Sequence, residues 1–154
     1  MELFCFASRS LENIALGIKH ELWAVATVSD SAMRGRQTKA RKYLHPGDAG
    51  LLYCNPTHSF TTPFYVSSAA DPERIVTDVW QEPWSLPFSI TPLGNLTRQL
   101  PHEIAKQRWS IEIERLRYYP SATAALNITG STVFVPTEIS EDAWKMILED
   151  LATG

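Results

Sequence analysis

The chain is poor in the residues that hold small folds together through disulfides or metals. Among 154 residues there are two cysteines, Cys5 and Cys54, and four histidines, His20, His45, His58 and His102. Two thiols make neither a disulfide framework nor a four-ligand zinc site. Both sit in apolar stretches, LFCFA and LLYC, where a small reduced core residue is the expected role. Such usage fits a cytosolic protein. No apolar run approaches the roughly 20 residues that span a bilayer, and the amino terminus MELFCFAS is too short and too acidic for a signal peptide. Catalytic signatures are missing too: GxSxG, GxxxxGK[ST], HExxH and HxE with a later CxxC do not occur. His58, in the loop Asn55-Pro56-Thr57-His58-Ser59, is the one candidate for a catalytic base. Loop histidines seldom have that role, so the expectation is a binding module with no catalytic residues, no metal and no cofactor.

What is present is the composition of one ordinary globular domain, 44% hydrophobic and 20% charged, without repeat, low-complexity tract or Gly/Ser linker. A single domain over residues 1–154 is expected, long enough to bury roughly 70% of the surface its unfolded chain exposes. The net charge is −3, but it is unevenly placed. From Thr137 onward one lysine faces five acids, whereas the preceding residues hold 13 basic against 12 acidic side chains. Arg34, Arg36, Lys39, Arg41 and Lys42 fall within nine positions with no acid among them. A run of this kind is most often a solvated face, and it is also what a phosphate-contacting loop looks like.

Local patterns alternate between short strands and short helices. Leu3 to Ala7 reads as a strand, Leu11, Ile14, Ala15 and Ile18 have helical spacing behind Ser10 as N-cap, and Leu22 to Thr27 reads as a second strand. A basic loop and a helical turn near Lys39 to Tyr43 lead to the turn His45-Pro46-Gly47-Asp48 and a buried strand, Ala49 to Cys54. Further strands are expected at Thr61 to Ser67, Ile75 to Trp80, Pro87 to Leu93 and Thr132 to Val135, with a helix over His102 to Arg108. Glu112 and Glu114 alternate as on one face of a possible strand. Residues 137–154 hold a terminal amphipathic helix: Ser140 caps it, Glu141 and Asp142 suit its dipole, and Ile139 with Trp144 has the spacing of a hydrophobic staple. Its apolar face packs either on this domain or on a further one. The sum is an α+β fold with a curved sheet or small open barrel and helices at its rim.

Five tryptophans are a heavy load for this length. Trp80 and Trp84 flank the polar stretch Gln81-Glu82-Pro83, which regular strand alternation does not explain. For Trp23, core packing and the wall of a binding pocket both remain open. The two roles separate on removal: a solvent-open wall leaves the melting temperature nearly unchanged, and a core residue does not.

The segment Phe4-Cys5-Phe6-Ala7-Ser8-Arg9-Ser10-Leu11-Glu12-Asn13-Ile14, continuing to Leu22-Trp23-Ala24, resembles the opening of YTH domains. There an aromatic strand ends in Ser-Asn-Asn, Glu-Asn-Val begins the helix, and Val-Trp-Ser follows it. The stretch from His45 to Tyr53 and the closing Thr132 to Trp144 are similar to the EVE domains of the same PUA-like superfamily. The resemblance implies a reader of modified bases: N6-methyladenine in RNA for YTH, methylated or hydroxymethylated bases in DNA for prokaryotic EVE-like modules. It implies that Trp23 is a pocket wall and Asn13 a contact to the base edge, with Ser8 and Arg9 facing the same pocket. Arg9 stands where the YTH pattern has Asn, Ala24 where it has Ser, and the second YTH tryptophan falls near Thr91-Pro92. The second wall is then left to Trp80 or Trp84, ahead of Phe64 or Tyr65.

The leading expectation is a reader of flipped methylated or hydroxymethylated bases in DNA, the recognition module of a modification-dependent restriction system with a fused or associated nuclease. Arg34, Arg36, Lys39, Arg41 and Lys42 would contact the nucleic-acid backbone. The alternatives are an RNA N6-methyladenine reader, a small PUA-like enzyme or nucleotide-binding protein using His58, and a protein-interaction domain whose tryptophans are all core.

Overall fold

The computed structural model describes residues 1–128 and 133–153. In chain order the elements are β1 (Glu2–Ser8), α1 (Leu11–His20), β2 (Leu22–Ala26), α2 (Asp30–Tyr43), β3 (Ala49–Cys54), β4 (Ser59–Val66), β5 (Ile75–Val76) and β6 (Trp84–Pro92). Then follow β7 (Leu100–Pro101), α3 (His102–Trp109), α4 (Arg115–Tyr118), α5 (Ala122–Ala125), β8 (Thr137–Glu138) and α6 (Glu141–Leu151). The main sheet runs β2-β6-β4-β3-β1-β8, with β5 added to β6 and β7 to β4. β1 and β3 are parallel, paired from Leu3 with Ala49 to Ser8 with Cys54. The other pairings are antiparallel. This is the curved α+β sheet with rim helices that the sequence predicts.

The parallel pair is buried on both faces, which is why its sequence reads as continuous rather than alternating apolar residues. Leu3, Cys5, Leu51 and Tyr53 point to a core completed by Trp109, Trp144, Ile147 and Leu151. Phe4, Phe6, Leu52 and Cys54 point to a second core with Ile14, Trp23, Phe64, Trp80, Trp84 and Phe88. Both cysteines are free and buried. The face of α6 is covered by this domain itself: Trp144 Nε1 donates to Tyr65 Oη at 2.9 Å, and Asp150 accepts from Trp109 Nε1 at 2.8 Å and pairs with Arg108. Ser140 caps α6 by accepting from Ala143 N at 3.0 Å, and Ile139 and Trp144 lie buried in one cluster, as the staple requires.

Several sequence expectations are corrected. The basic segment is no loop but the helix α2, whose start the sequence pattern does not mark because Ala40 is its only buried residue and it has no apolar stripe. Arg41 and Lys42 fall in its last turn, where cations suit the helix dipole. The strand expected over Ile75 to Trp80 stops at Val76, since the chain from Thr77 to Pro83 bends away from the sheet. Glu112 and Glu114 lie in turns beside α4 rather than on a strand. Of the strand expected at Thr132 to Val135, Thr132 lies outside the described residues, and Val133 and Phe134 form a turn with Phe134 at φ 66°. The last strand is instead Thr137–Glu138, where β8 meets β1 after Pro136.

Candidate functional site

One cavity of about 640 Å³ opens between the start of α1, the end of β2, α2, the 77–83 loop and β6. Local sequence builds each wall. Ser10 caps α1 by accepting from Asn13 N at 3.1 Å, which fixes Asn13 at the third helical position, facing the cavity. Gly17 lets α1 lie directly on the indole behind it: a Cβ there would come within 2.8 Å of Trp23 Cε3 and 3.0 Å of the Leu22 carbonyl oxygen. Glu21 then ends the helix in the left-handed region at φ 49° and turns the chain straight into β2.

Trp84 reaches the cavity through a bulge. Trp23 pairs with Phe88, but Val25 pairs with Ser85 and Ala26 with Trp84, so β6 carries one extra residue between them. Leu86 at φ 56° and Pro87, which has no N–H to give the ladder, occupy that extra length. A one-residue slip exchanges the faces of a strand. Without it Trp84 would oppose Thr27 and turn away from the cavity.

The structure brings Trp23, Trp80 and Trp84 together. Trp80 and Trp84 stack with ring centroids 4.8 Å apart and planes inclined by 20°. Both stand edge-on to Trp23, at 5.8 and 5.5 Å. Trp80 Nε1 donates to the Asn13 carbonyl at 3.0 Å, tying the 77–83 loop to α1. Across the mouth of the cavity, Arg9 and Glu82 form an exposed ion pair at 3.7 Å between the same two segments. Trp23 is 1% exposed, Trp80 3% and Trp84 9%. The core and pocket readings of Trp23 are therefore not alternatives: it is a core residue whose surviving exposure borders the cavity. Its indole N–H has no hydrogen-bond partner among the described residues, and since no side-chain polar atom among them is both fully buried and unbonded, that exposure includes the N–H.

Asn13 is half-buried and lines the cavity, and its side-chain amide bonds to no group among the described residues. Arg36 is the one member of the basic run that borders this cavity. Its Nη1 donates to the Ala26 carbonyl at 2.9 Å, and burial lowers its pKa. Arg34 and Arg41 border a second cavity of about 550 Å³ on another side of α2. Lys42 lies over the Tyr43 ring at 5.1 Å. Lys39 is on the same helix, so the run is divided among several faces and does not form a single stripe.

Ser8 lines neither of these two cavities: it is 2% exposed and spends its hydroxyl on the Ser10 carbonyl at 2.9 Å and the Ser10 N–H at 3.3 Å. It shapes the β1–α1 connection that presents Arg9 and Asn13. Phe64 and Tyr65 are also excluded as walls, the first buried against Gly50 and the second bonded to Trp144. His58 borders neither cavity and stands edge-on to His102 at 5.9 Å. Sequence reasoning missed Glu82 and Gln81 as lining residues, although their place between two tryptophans was the available signal. It also missed Glu12, which precedes Asn13, and Asn55, whose backbone N–H bonds the Ser8 carbonyl at 2.9 Å.

This arrangement can hold a flat aromatic ligand and bond its edge. Three indoles supply apolar faces and edges, and Asn13 supplies one acceptor and two donors in fixed position.

No protein-family model and no curated protein matches the chain at a significant level. Solved structures do match in fold. The YTH domain of the Zygosaccharomyces rouxii MRB1 protein, in complex with N6-methyladenosine RNA, superposes with a TM-score of 0.60 at 18% identity, over 96% of this chain and 84% of that one. The Pho92 YTH domain in complex with m6A gives 0.60 at 16% identity, over 99% and 84%. Sheet, rim helices and chain coverage agree, and the chain has the fold of a YTH domain.

Proposed function

We propose that this domain is a non-catalytic reader of N6-methyladenine in RNA. The observation that carries the reading is the convergence of Trp23, Trp80 and Trp84 on one cavity beside the unengaged amide of Asn13. It occurs in a fold shared with domains solved with methylated adenosine. An unpaired base offers two π-faces to aromatic side chains and a polar edge to hydrogen-bonding groups, so stacking and edge reading are separable contributions. Asn13 reads the edge, the indoles cover the faces, and Arg9 stands at the mouth. The preference for DNA, the restriction system and the nuclease partner expected from sequence have no support in these neighbours, whose complexes hold RNA or methylated adenosine.

As they stand, Trp80 and Trp84 touch each other. A base between two rings needs them roughly 7 Å apart, two layers of carbon contact. Entry of the base therefore exchanges the Trp80–Trp84 stack for two base–indole contacts, or uses the open side of that stack. In the first case Trp80, on the 77–83 loop, is the wall that adjusts, because Trp84 is held in the β2–β6 ladder.

The test is a titration of the wild type, Asn13→Ala and Trp84→Ala with short single-stranded RNAs carrying one adenine or one N6-methyladenine, and with the matching DNAs. Tighter binding of methylated RNA, reduced by both substitutions, is the expected result. Equal affinity for methylated and unmethylated RNA overturns the reading, and tighter binding of methylated DNA restores the DNA alternative.

A further inference from the structure

Four charged side chains border the cavity, and they are not equivalent. Arg9 and Glu82 pair with each other at the mouth, and Glu12 is exposed. Arg36 has no carboxylate partner among the described residues. Arg36 is half-buried and its guanidinium is held by one donor on the Ala26 carbonyl, the rest of the fork having no partner among the described residues. An immobilised, unneutralised guanidinium at the edge of a cavity walled by indoles is a site for an anion, and its planar donors match a phosphate. The cavity is also larger than a base requires. At about 640 Å³ it lies within the range of roughly 300–1,000 Å³ that accommodates a whole drug-sized ligand.

Accepting the modified-base reading above, we infer that the ligand of this cavity is a complete modified nucleotide, its base among Trp23, Trp80 and Trp84 and its own phosphate on Arg36. The site then takes a free N6-methyladenosine monophosphate as well as a residue within a strand. The remaining cations of α2 serve neighbouring phosphates only. Partial desolvation of Arg36 strengthens its hydrogen bonds to an incoming anion, because less water has to be displaced on binding.

Calorimetric titration of the wild type with N6-methyladenosine, its 5′-monophosphate and its 3′-monophosphate tests this, alongside the methylated and unmethylated RNA oligomers. One monophosphate should bind at least about tenfold more tightly than the nucleoside, the ordinary gain from a charge-assisted pair, and the favoured isomer shows on which side of the ribose Arg36 lies. That gain should shrink as salt is raised, a measurement that needs no variant. Arg36→Gln should bring the monophosphate down to the affinity of the nucleoside, and Arg36→Lys should restore part of the difference. Equal binding of nucleoside and both monophosphates by the wild type overturns the inference, as does a phosphate gain that survives Arg36→Gln. Binding of methylated oligomer but of no mononucleotide also overturns it while leaving the reader function standing. Loss of discrimination between the oligomers removes the reader function and the inference together.

Discussion

Replacing Trp23 by alanine tests the claim that one residue is both core and cavity border. A tryptophan buries about 150–250 Å², which at about 25 cal/mol per Å² amounts to about 4–6 kcal/mol, an upper figure because the unfolded chain is not fully extended. Measured Trp→Ala changes in cores cost about 3–5 kcal/mol. With 1% exposure and α1 packed on its ring through Gly17, Trp23 cannot be replaced by local collapse. We expect a loss of about 4 kcal/mol by denaturant titration. For a chain of this size that is a fall in melting temperature of about 8–16 °C. Removing Trp23 also withdraws the edge-on support of the Trp80–Trp84 stack, so methyl discrimination should fall in the fraction that stays folded. Trp23→Phe keeps an aromatic face and leaves a smaller void but lacks the indole N–H, and it should recover much of the stability. A Trp23→Ala protein that melts within about 2 °C of wild type would refute the packing argument.

Asn13→Ala should leave stability unchanged or raised by up to about 0.7 kcal/mol, because its side-chain amide bonds to no group among the described residues and alanine is the better helix former, while affinity for methylated RNA falls. Equal affinity would remove Asn13 from the edge-reading role. Gly17→Ala should lose more by pressing on Trp23 than the about 1 kcal/mol that alanine gains in a helix, seen as a lower melting temperature and altered tryptophan fluorescence. A more stable variant would show that α1 can shift away at no cost. The double substitution of Arg34 and Arg41 by alanine should make the plot of log affinity against log salt shallower by about 1.4, at about 0.7 per phosphate contact on a single strand. An unchanged slope returns them to the solvated face. Burial holds the Cys5 thiol far above its ordinary value of 9.0. The unfolded chain ionises it first, so its contribution is intact below about pH 8.5 and is lost as pH rises further. Denaturant midpoints at neutral and alkaline pH should therefore diverge less in Cys5→Ala than in the wild type.

The parts of the fold legible in the sequence are those with local causes. Ser10 and Ser140 announce their helices by capping, and the Leu3 to Ala7 and Ala49 to Cys54 runs announce strands buried on both faces. The first pocket residues, Trp23 and Asn13, came from a short ordered motif. What stayed hidden has non-local causes. Helix α2 turns only Ala40 inward, so hydrophobic periodicity gives no sign of it. Trp80 is placed by a hydrogen bond to Asn13, 67 positions away, so its surroundings do not show that it leaves the strand. The turning of Trp84 depends on an extra residue in β6, and that becomes visible only once its register against β2 is known. For Ser8 the motif fixes only the position of the backbone, and the bonding of its hydroxyl to the Ser10 backbone is visible only in the structure.

The parallel ladder between β1 and β3 has a consequence for how the protein is made. These strands meet only after the intervening α1, β2 and α2 have been gathered to one side, and β6 must then insert between β2 and β4. Pairings between distant parts of a chain pay their loop-closure entropy before they gain stability, so folding should be slow for the domain's size. Cavity-bordering residues extend from Cys5 to Val133. During synthesis, then, a nascent chain already displaying Trp23 and Asn13 has no site until most of its length has left the ribosome. Until that moment three tryptophans stand exposed, and this is the interval in which the domain is most open to aggregation or to capture by a chaperone.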